Sequence, residues 1–534
     1  MHPELSPGRR RAVLAAMCLA LVLVVAGVSM LSVSLPTMAT ALGASQSAQQ
    51  WIVDAYALAL AALLLPAGAL GDRFGRRRTL IIGIAVFGGA SLLSAWSDTS
   101  SQLIGWRALA GVGAALIMPG TLSTITSVFP PDQRARAVGI WAGFAGAGGV
   151  LGLVVAGGLL EVFWWGSIFV FTAALALVAL VAIVVAVPDT SDPGHAVLDP
   201  PGAVLSVLGV GGLVLGIIEG PARGWTAPVT LTGLVVGVVS LVAFVLWELH
   251  TPRPLLDPRL FRLHGFAAGS AALFLLFFAM FGFFFITLQF LQLILGYGTL
   301  LSAVALLPIA VVMLPLSTVA ATLSERYGMR TVSAAGLLLA GGGFAILATM
   351  SVDSGYVHLL AGFMLIGCGF ALAMSPATNA IVASLPRAKQ GVASAVNDTA
   401  RELGAALGVA VLGSAFNEGY ARDITSATAG LPPTLADTAR DAPAGALAAA
   451  GQLGDAGATL ADAAKHAFIV GSRWAMVIGA ALLLVGAVYV RLRAPGVDLA
   501  RAEDELDLEE EPTVAELVAE ARDADSLRPA PAGA

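Results

Sequence analysis

Charge is what this chain has least of. Only 12% of its 534 residues are Asp, Glu, Lys or Arg, where a soluble domain carries roughly 25%. A water-soluble core has no use for that many long, charge-free runs. Cysteine is nearly absent too: Cys18 and Cys368 each sit in an apolar run, which indicates neither a disulfide framework nor a metal site. The histidines are scattered, with His195, His250 and His264 near loops and His358 and His466 near span ends. A membrane-embedded enzyme would need a His/Asp cluster or a Ser/His pair, and no such constellation is apparent. No G-x(4)-G-K-[ST] segment occurs, which excludes ATP hydrolysis by the phosphate-loop route. No basic run suggests nucleic acid as a partner. The net charge of −6 owes its sign to the C-terminal tail, with Glu503, Asp504, Glu505, Asp507, Glu509, Glu510 and Glu511.

What the chain does have is apolar length: 58% of it is hydrophobic, and run after run reaches the roughly 20 residues that cross a bilayer core of about 30 Å. Fourteen spans are expected, at 12–36, 50–70, 79–97, 102–126, 138–160, 167–187, 200–219, 227–250, 265–290, 298–323, 332–351, 356–380, 395–417 and 467–490. The runs are continuous and do not alternate, so they are helices and not barrel strands. The expected fold class is an all-α membrane protein. Arg9, Arg10 and Arg11 precede the first run, and Ala39-Thr40-Ala41 has the look of a cleavage site. The run is longer than the about 7–15 residues of a signal-peptide core, so it reads as the first span. Arginines gather at the N-terminus and in the even-numbered junctions: Arg73, Arg76, Arg77 and Arg78; Arg134 and Arg136; Arg253, Arg259 and Arg262; Arg326 and Arg330; Arg387 with Lys389; Arg491 and Arg493. The bias predicts that residues 1–11 and the tail at 491–534 both face the cytoplasm of a bacterial inner membrane. Residues 418–465, rich in Ala, Gly, Asp and Pro, read as an external loop with room for a short helix, and the acidic tail reads as disordered.

The most specific segment is Gly68-Ala69-Leu70-Gly71-Asp72-Arg73-Phe74-Gly75-Arg76-Arg77-Arg78, after span two. A plain anchor needs only some arginines. This one adds Gly68, Gly71 and Gly75 for a tight turn and close helix approach, and one aspartate among arginines. Asp72 is suited either to a basic partner, with Arg134 of the next junction as the candidate, or to a helix N-terminus on a neighbouring bundle. Such a contact closes one side and breaks when that side opens. A degenerate echo, Leu323-Ser324-Glu325-Arg326-Tyr327-Gly328-Met329-Arg330, follows span ten and suggests duplicated halves.

With these residues the chain resembles the major facilitator superfamily, whose loop signature runs G-x-L-x-D-R-x-G-R-[KR]-[KR]. Fourteen spans and Gln50-Trp51-Ile52-Val53-Asp54-Ala55-Tyr56 look like its drug:proton antiporter-2 family, as do Ile117-Met118-Pro119, Pro254-Leu255-Leu256-Asp257-Pro258-Arg259-Leu260-Phe261, and Gly296-Tyr297 leading to Leu306-Leu307-Pro308. The resemblance covers roughly residues 10–490. It implies two six-helix bundles, at 12–187 and 265–490, with two inserted linker helices at 200–250.

Ionisable residues inside spans are costly and usually functional. Asp54, one turn into span two, is either a proton-carrying or cation-binding carboxylate, as the resemblance implies, or an interfacial helix-start residue. Arg107 on span four matches the family's arginine there. Arginine keeps its proton, so its role would be to tune a nearby carboxylate; the alternative is a side chain reaching for the interface. Asp398 and Glu402 share a helical face on span thirteen, with Arg401 beside them. The resemblance implies substrate or proton handling; the bland alternative is an exposed helix start with a local ion pair.

Span five carries Gly148, Gly152, Gly157 and Gly158 as helix-bending glycines, together with Gly143, Gly146 and Gly149. The family's G-x(3)-G-P-x-x-G-G pattern is broken by Leu153 where proline belongs. Gly27 stands where relatives commonly have an aspartate, and Met313 where some dication exporters carry an acid. Phe274, Phe277, Phe278, Phe281, Phe283, Phe284 and Phe285 on span nine either line a substrate cavity or pack.

The function expected from all this is export of a lipophilic, monovalent or neutral compound by alternating access. Its energy source would be a proton gradient, with no cofactor and no metal. The partners would be the substrate, protons and the bilayer, and the unit a monomer. The alternatives are export of a metabolite or lipid on the same fold and, in another class, a membrane-integral enzyme.

Overall fold

The computed structural model describes residues 6–44, 46–188, 199–252, 254–385, 390–429, 431–453 and 457–495. Arg253, Arg387, Lys389, His195 and the tail beyond residue 495 lie outside them, so the expectations placed there have no counterpart below. The described residues are all helix and turn. The first bundle is α1 (Pro7–Leu42), α2 (Gln46–Phe74), α3 (Arg76–Ala95), α4 (Ser100–Val128), α5 (Pro131–Val162) and α6 (Ser167–Ala186). The inserted pair is α7 (Pro200–Arg223) and α8 (Pro228–His250). The second bundle is α9 (His264–Gln289), α10 (Thr299–Ala305), α11 (Leu307–Tyr327), α12 (Met329–Leu347), α13 (Tyr356–Ala383), α14 (Gln390–Ile424) and α17 (Ala458–Arg493), with α15 (Pro433–Asp441) and α16 (Pro443–Gln452) between the last two.

Among the described residues, thirteen segments are long and apolar enough to cross a membrane. The fourteenth span is α14. It is 35 residues long but rich in polar and charged groups: Asn397, Asp398 and Arg401 are buried, whereas Glu418 and Arg422 near its far end are exposed. The span expected at 298–323 is broken at Leu306, before Pro308, into α10 and α11.

Local signals set the ends. Thr99 accepts from the Gln102 amide and starts α4, Asp199 does the same for Gly202 at α7, and prolines open α5, α7 and α8. Prolines also fall inside α2 (Pro66), α4 (Pro119), α11 (Pro315) and α13 (Pro376). Such prolines are tolerated in membrane helices because neighbouring groups take over the freed carbonyls.

Those four helices are related in pairs, and the duplication shows in the packing. α1 packs on α5 and α6 as α9 packs on α14 and α17; α2 on α4 as α11 on α13; α3 on α4 and α6 as α12 on α13 and α17. The halves meet where this scheme requires, α2 and α4 against α14, α11 and α13 against α5. α7 lies against both α2 and α14, astride the seam.

The segment at 418–465 is more ordered than a loop. α14 and α17 extend past their apolar runs, and α15 and α16 fold onto them around Tyr420, Ile424, Ala446, Leu460 and Ala464. The Tyr420 hydroxyl donates to the Ala439 carbonyl at 2.8 Å, and His466 meets Asp423 at 2.9 Å.

Candidate functional site

The loop after α2 meets the other half of the molecule through Asp72. Asp72 accepts the backbone N–H of Gly391, in the first turn of α14, at 3.1 Å through one carboxylate oxygen and 2.9 Å through the other. It also takes Arg76 Nε at 3.2 Å and Nη2 at 2.9 Å. A buried carboxylate at a helix N-terminus meets unpaired amides and the positive end of the helix dipole together. Among the described residues Arg134, the expected basic partner, is not a partner of Asp72, whose carboxylate is taken by the start of α14 and by Arg76 from the same loop.

Gly75 holds φ 100° and Gly328, its equivalent in the echo, φ 77°, a region that side chains rarely adopt. Arg77 donates to the Val184 carbonyl at the end of α6 at 2.7 Å, and Arg330 to the Arg491 carbonyl at the end of α17 at 2.5 Å. Each copy of the motif thus ties the last helix of its own bundle. Arg73 lies over Phe74, and Gly71 faces Thr79. Glu325, the echo of Asp72, is exposed.

Two turns into α14 lies the polar centre of the molecule. Asp398 is fully buried and Arg401 is 2% exposed; they pair at 3.2 Å. Asn397 Nδ2 donates to the same Asp398 oxygen at 3.1 Å. The Arg401 guanidinium sits 4.5 Å from the Phe277 ring centroid and 5.4 Å from that of Trp141, so it is gripped by aromatics from both halves. Trp141 is itself fixed by Thr121 at 3.1 Å. Glu402 lies in electrostatic range of Asp398, Arg401 and Tyr56. Across the seam, Arg107 is 3% exposed. It stacks over Tyr56 at 4.3 Å and donates to the Ile52 carbonyl at 3.2 Å. No carboxylate forms an ion pair with it among the described residues. Asp398 Oδ2, Arg401 Nε, Asn397 Oδ1 and Arg107 Nη2 are buried and make no hydrogen bond among the described residues. The exposed-helix-start reading of residues 397–402 is therefore excluded. Interior polar atoms are nearly always satisfied, so four unsatisfied ones gathered at this seam are a costly concentration.

The fold is shared with solved structures. The human organic anion transporter MFSD10 matches at TM-score 0.58 and 16% identity, over 91% of this chain and 100% of that one. The proton:xylose symporter XylE matches at 0.56 and 15%, over 96% and 99%. The sequence model of the Major Facilitator Superfamily matches residues 17–409. This chain belongs to the Major Facilitator Superfamily. Within it, the multidrug efflux pump LfrA of Mycolicibacterium smegmatis is 36% identical over 91% of this chain and 96% of its own length. The methyl viologen resistance protein SmvA of Salmonella typhimurium is 32% identical over 86% and 93%, and the tetracenomycin C resistance and export protein of Streptomyces glaucescens 32% over 90% and 91%.

In this facilitator Asp54 stands apart from the centre. It is half-buried, has no hydrogen bond or ion pair among the described residues, and lies in electrostatic range of Glu219 on α7. Glu219 escaped the sequence reading, as did Glu248 on α8, each 1% exposed. Both are acids inside apolar spans, the signal that singled out Asp54, but they fall on helices read as linkers.

The glycines of α5 divide by neighbour, and α5 itself is one uninterrupted helix. A Cβ at Gly152 would meet the Ala26 backbone at 2.8 Å, and one at Gly157 would meet Leu300 at 3.1 Å. At Gly148 the nearest atom is 3.5 Å away, and Gly158 faces open space. Gly139, Gly143 and Gly146 form the seam, against Ser317, Leu314 and Met313. The aromatic run of α9 also divides: Phe277 faces Arg401, whereas Phe283 packs on Phe344 and Phe363 inside the second bundle.

Proposed function

We propose that this facilitator is a proton-coupled exporter of lipophilic drugs, working by alternating access as a monomer in a bacterial inner membrane, with both termini in the cytoplasm. The observation that carries the reading is the buried Asp398–Arg401 pair with Glu402 on α14, at the seam where the halves must move against each other. The pump LfrA and the tetracenomycin exporter are named for this activity. The arginines around Asp72 favour that end as the cytoplasmic one.

The energy source is the proton gradient, with no cofactor. One elementary charge crossing 100 mV yields about 2.3 kcal/mol, which supports roughly a 50-fold concentration ratio at about 1.36 kcal/mol per tenfold. A neutral compound exchanged for one proton uses voltage and pH gradient together; a monovalent cation exchanged one for one uses the pH gradient alone. Deprotonated carboxylates admit the cation, and protonation from outside releases it. Arg107 and Tyr56 hold the first half's side of the path.

Substrates are monovalent or neutral. Gly27 faces Phe87 inside the first bundle, and Met313 is buried against Gly146, so neither position offers a second negative charge. SmvA is named for methyl viologen, a dication, and that compound is the discriminating probe.

In everted vesicles, dye efflux should collapse with a protonophore. It should be abolished in Asp398→Asn and lose proton coupling in Asp54→Asn. Coupled efflux surviving in Asp398→Asn removes the central assignment, and methyl viologen export equal to that of a monocation removes the charge preference.

A further inference from the structure

The inserted pair rests on the molecule unevenly. α7 packs on the seam, Val210 and Val214 against Ala61, Leu58 and Leu403, while α8 is carried chiefly by α7 and the short turn at Pro258–Arg262. Between α8 and the faces of α2 and α4 lies a cavity of about 880 Å³, within the roughly 300–1,000 Å³ of small-molecule sites. Trp51, Ala55 and Ala59 of α2 form one wall, and Leu208, Gly211 and Leu215 of α7 another. Apart from the Trp51 indole and the Thr232 hydroxyl, the lining carries no polar side chain.

Two carboxylates stand just outside the lining, each within one helical turn of residues that form it. Asp54 lies on the α2 turn that carries Trp51 and Ala55. Glu219 lies one helical turn beyond Leu215 on α7, and the two acids are in electrostatic range of each other. Asp54 has no counter-ion among the described residues. Glu219 is 1% exposed and ion-paired with Arg223, whose side chain is 45% exposed.

We propose that this cavity is a second substrate site, open to the bilayer interior, that holds an amphiphilic monovalent organic cation with its apolar body between α2, α4, α7 and α8 and its charge between Asp54 and Glu219. The proposal rests on the exporter reading and deepens it by giving the inserted pair a role. Charge complementarity chooses the occupant. A lipophilic cation meets an apolar slot with an anionic end, whereas a phospholipid tail would bring its phosphate toward two carboxylates. Arg223 is a tethered competitor, holding with its guanidinium the place that an arriving cation takes.

The test is equilibrium binding of tetraphenylphosphonium to the full-length protein in lipid nanodiscs, beside dye efflux in everted vesicles. Glu219→Gln should weaken binding roughly tenfold, the equivalent of about 1.4 kcal/mol. Ala59→Trp and Leu208→Trp, filling the slot from opposite walls, should weaken it similarly, so that misfolding of one leaves the other informative. Arg223→Gln should tighten binding, a result that a merely structural ion pair would not give. If Glu219→Gln and a folded cavity variant bind as the parent does, the slot holds lipid tails only and the proposal fails with the exporter reading intact. If the parent shows no protonophore-sensitive efflux, the exporter reading fails and the binding result stands by itself.

Discussion

Asp398 and Arg401 neutralise each other where water does not reach, and removing one partner differs from removing both. Breaking such a buried pair costs about 3–5 kcal/mol, because a charge is left uncompensated in low dielectric. Asp398→Asn should therefore lower the thermal unfolding midpoint in detergent, and the double variant Asp398→Asn/Arg401→Gln should recover part of the loss. A double variant less stable than either single one would show that the pair does not act as a unit. Asp72 presents the complementary case, a carboxylate held by a backbone amide as well as an arginine. Asp72→Asn keeps the shape and forfeits the charge, so the closed gate should lose about 1–2 kcal/mol, a roughly tenfold population shift. Reactivity of a cysteine placed at Ser394 reads the shift; unchanged labelling would remove Asp72 from the gate. Sequence could nominate Asp72 from the glycines and arginines of the loop around it, and Asp398 and Glu402 because acids in apolar runs are conspicuous. It could not choose Gly391 over Arg134 as the partner of Asp72, since a backbone amide 319 residues away leaves no mark on its own position.

At the scale of elements, close approach decides what can be exchanged. A Cβ at Gly68 would sit 2.5 Å from the Gly391 carbonyl oxygen and 2.9 Å from the Ala395 side chain, so Gly68→Ala should pry α2 from α14. The expected readout is loss of efflux with retained folding, by circular dichroism and size exclusion. Gly158 faces open space, and Gly158→Ala should be neutral or up to about 1 kcal/mol stabilising through helix propensity. Fourteen helices were legible from run length, α14 included, although its charged residues make it the least apolar of them. A short helix within 418–465 was legible, but not that two form there, held by a small local core around Tyr420 and Leu460; nor was the break at Leu306, because Pro66, Pro119, Pro315 and Pro376 sit inside unbroken helices and Pro308 looks no different in sequence. The same limit applied to α7 and α8, which composition could present only as two more spans.

Across the whole molecule, the echo after span ten proved a sound sign of duplication, since the helix pairings of one half recur in the other and Arg77 and Arg330 perform equivalent tethers. The two copies are not equal, however. Asp72 grips the opposite half, and Glu325 points outward. The α2–α14 seam is thereby a clasp, fastened by charge, while the α5–α11 seam is a spine of small residues laid against Ser317 and Met313, with no ion pair across it among the described residues. A book with one clasp opens from the clasped edge. Spin labels across α2 and α14 at the Asp72 end should separate further on opening than a pair across α5 and α11, and equal separations would mean that the halves part squarely. α7 lies along the clasped edge, so the edge that swings widest is the one the inserted pair overlies. Each turn of the cycle would then flex the inserted pair, and with it the slot behind α7.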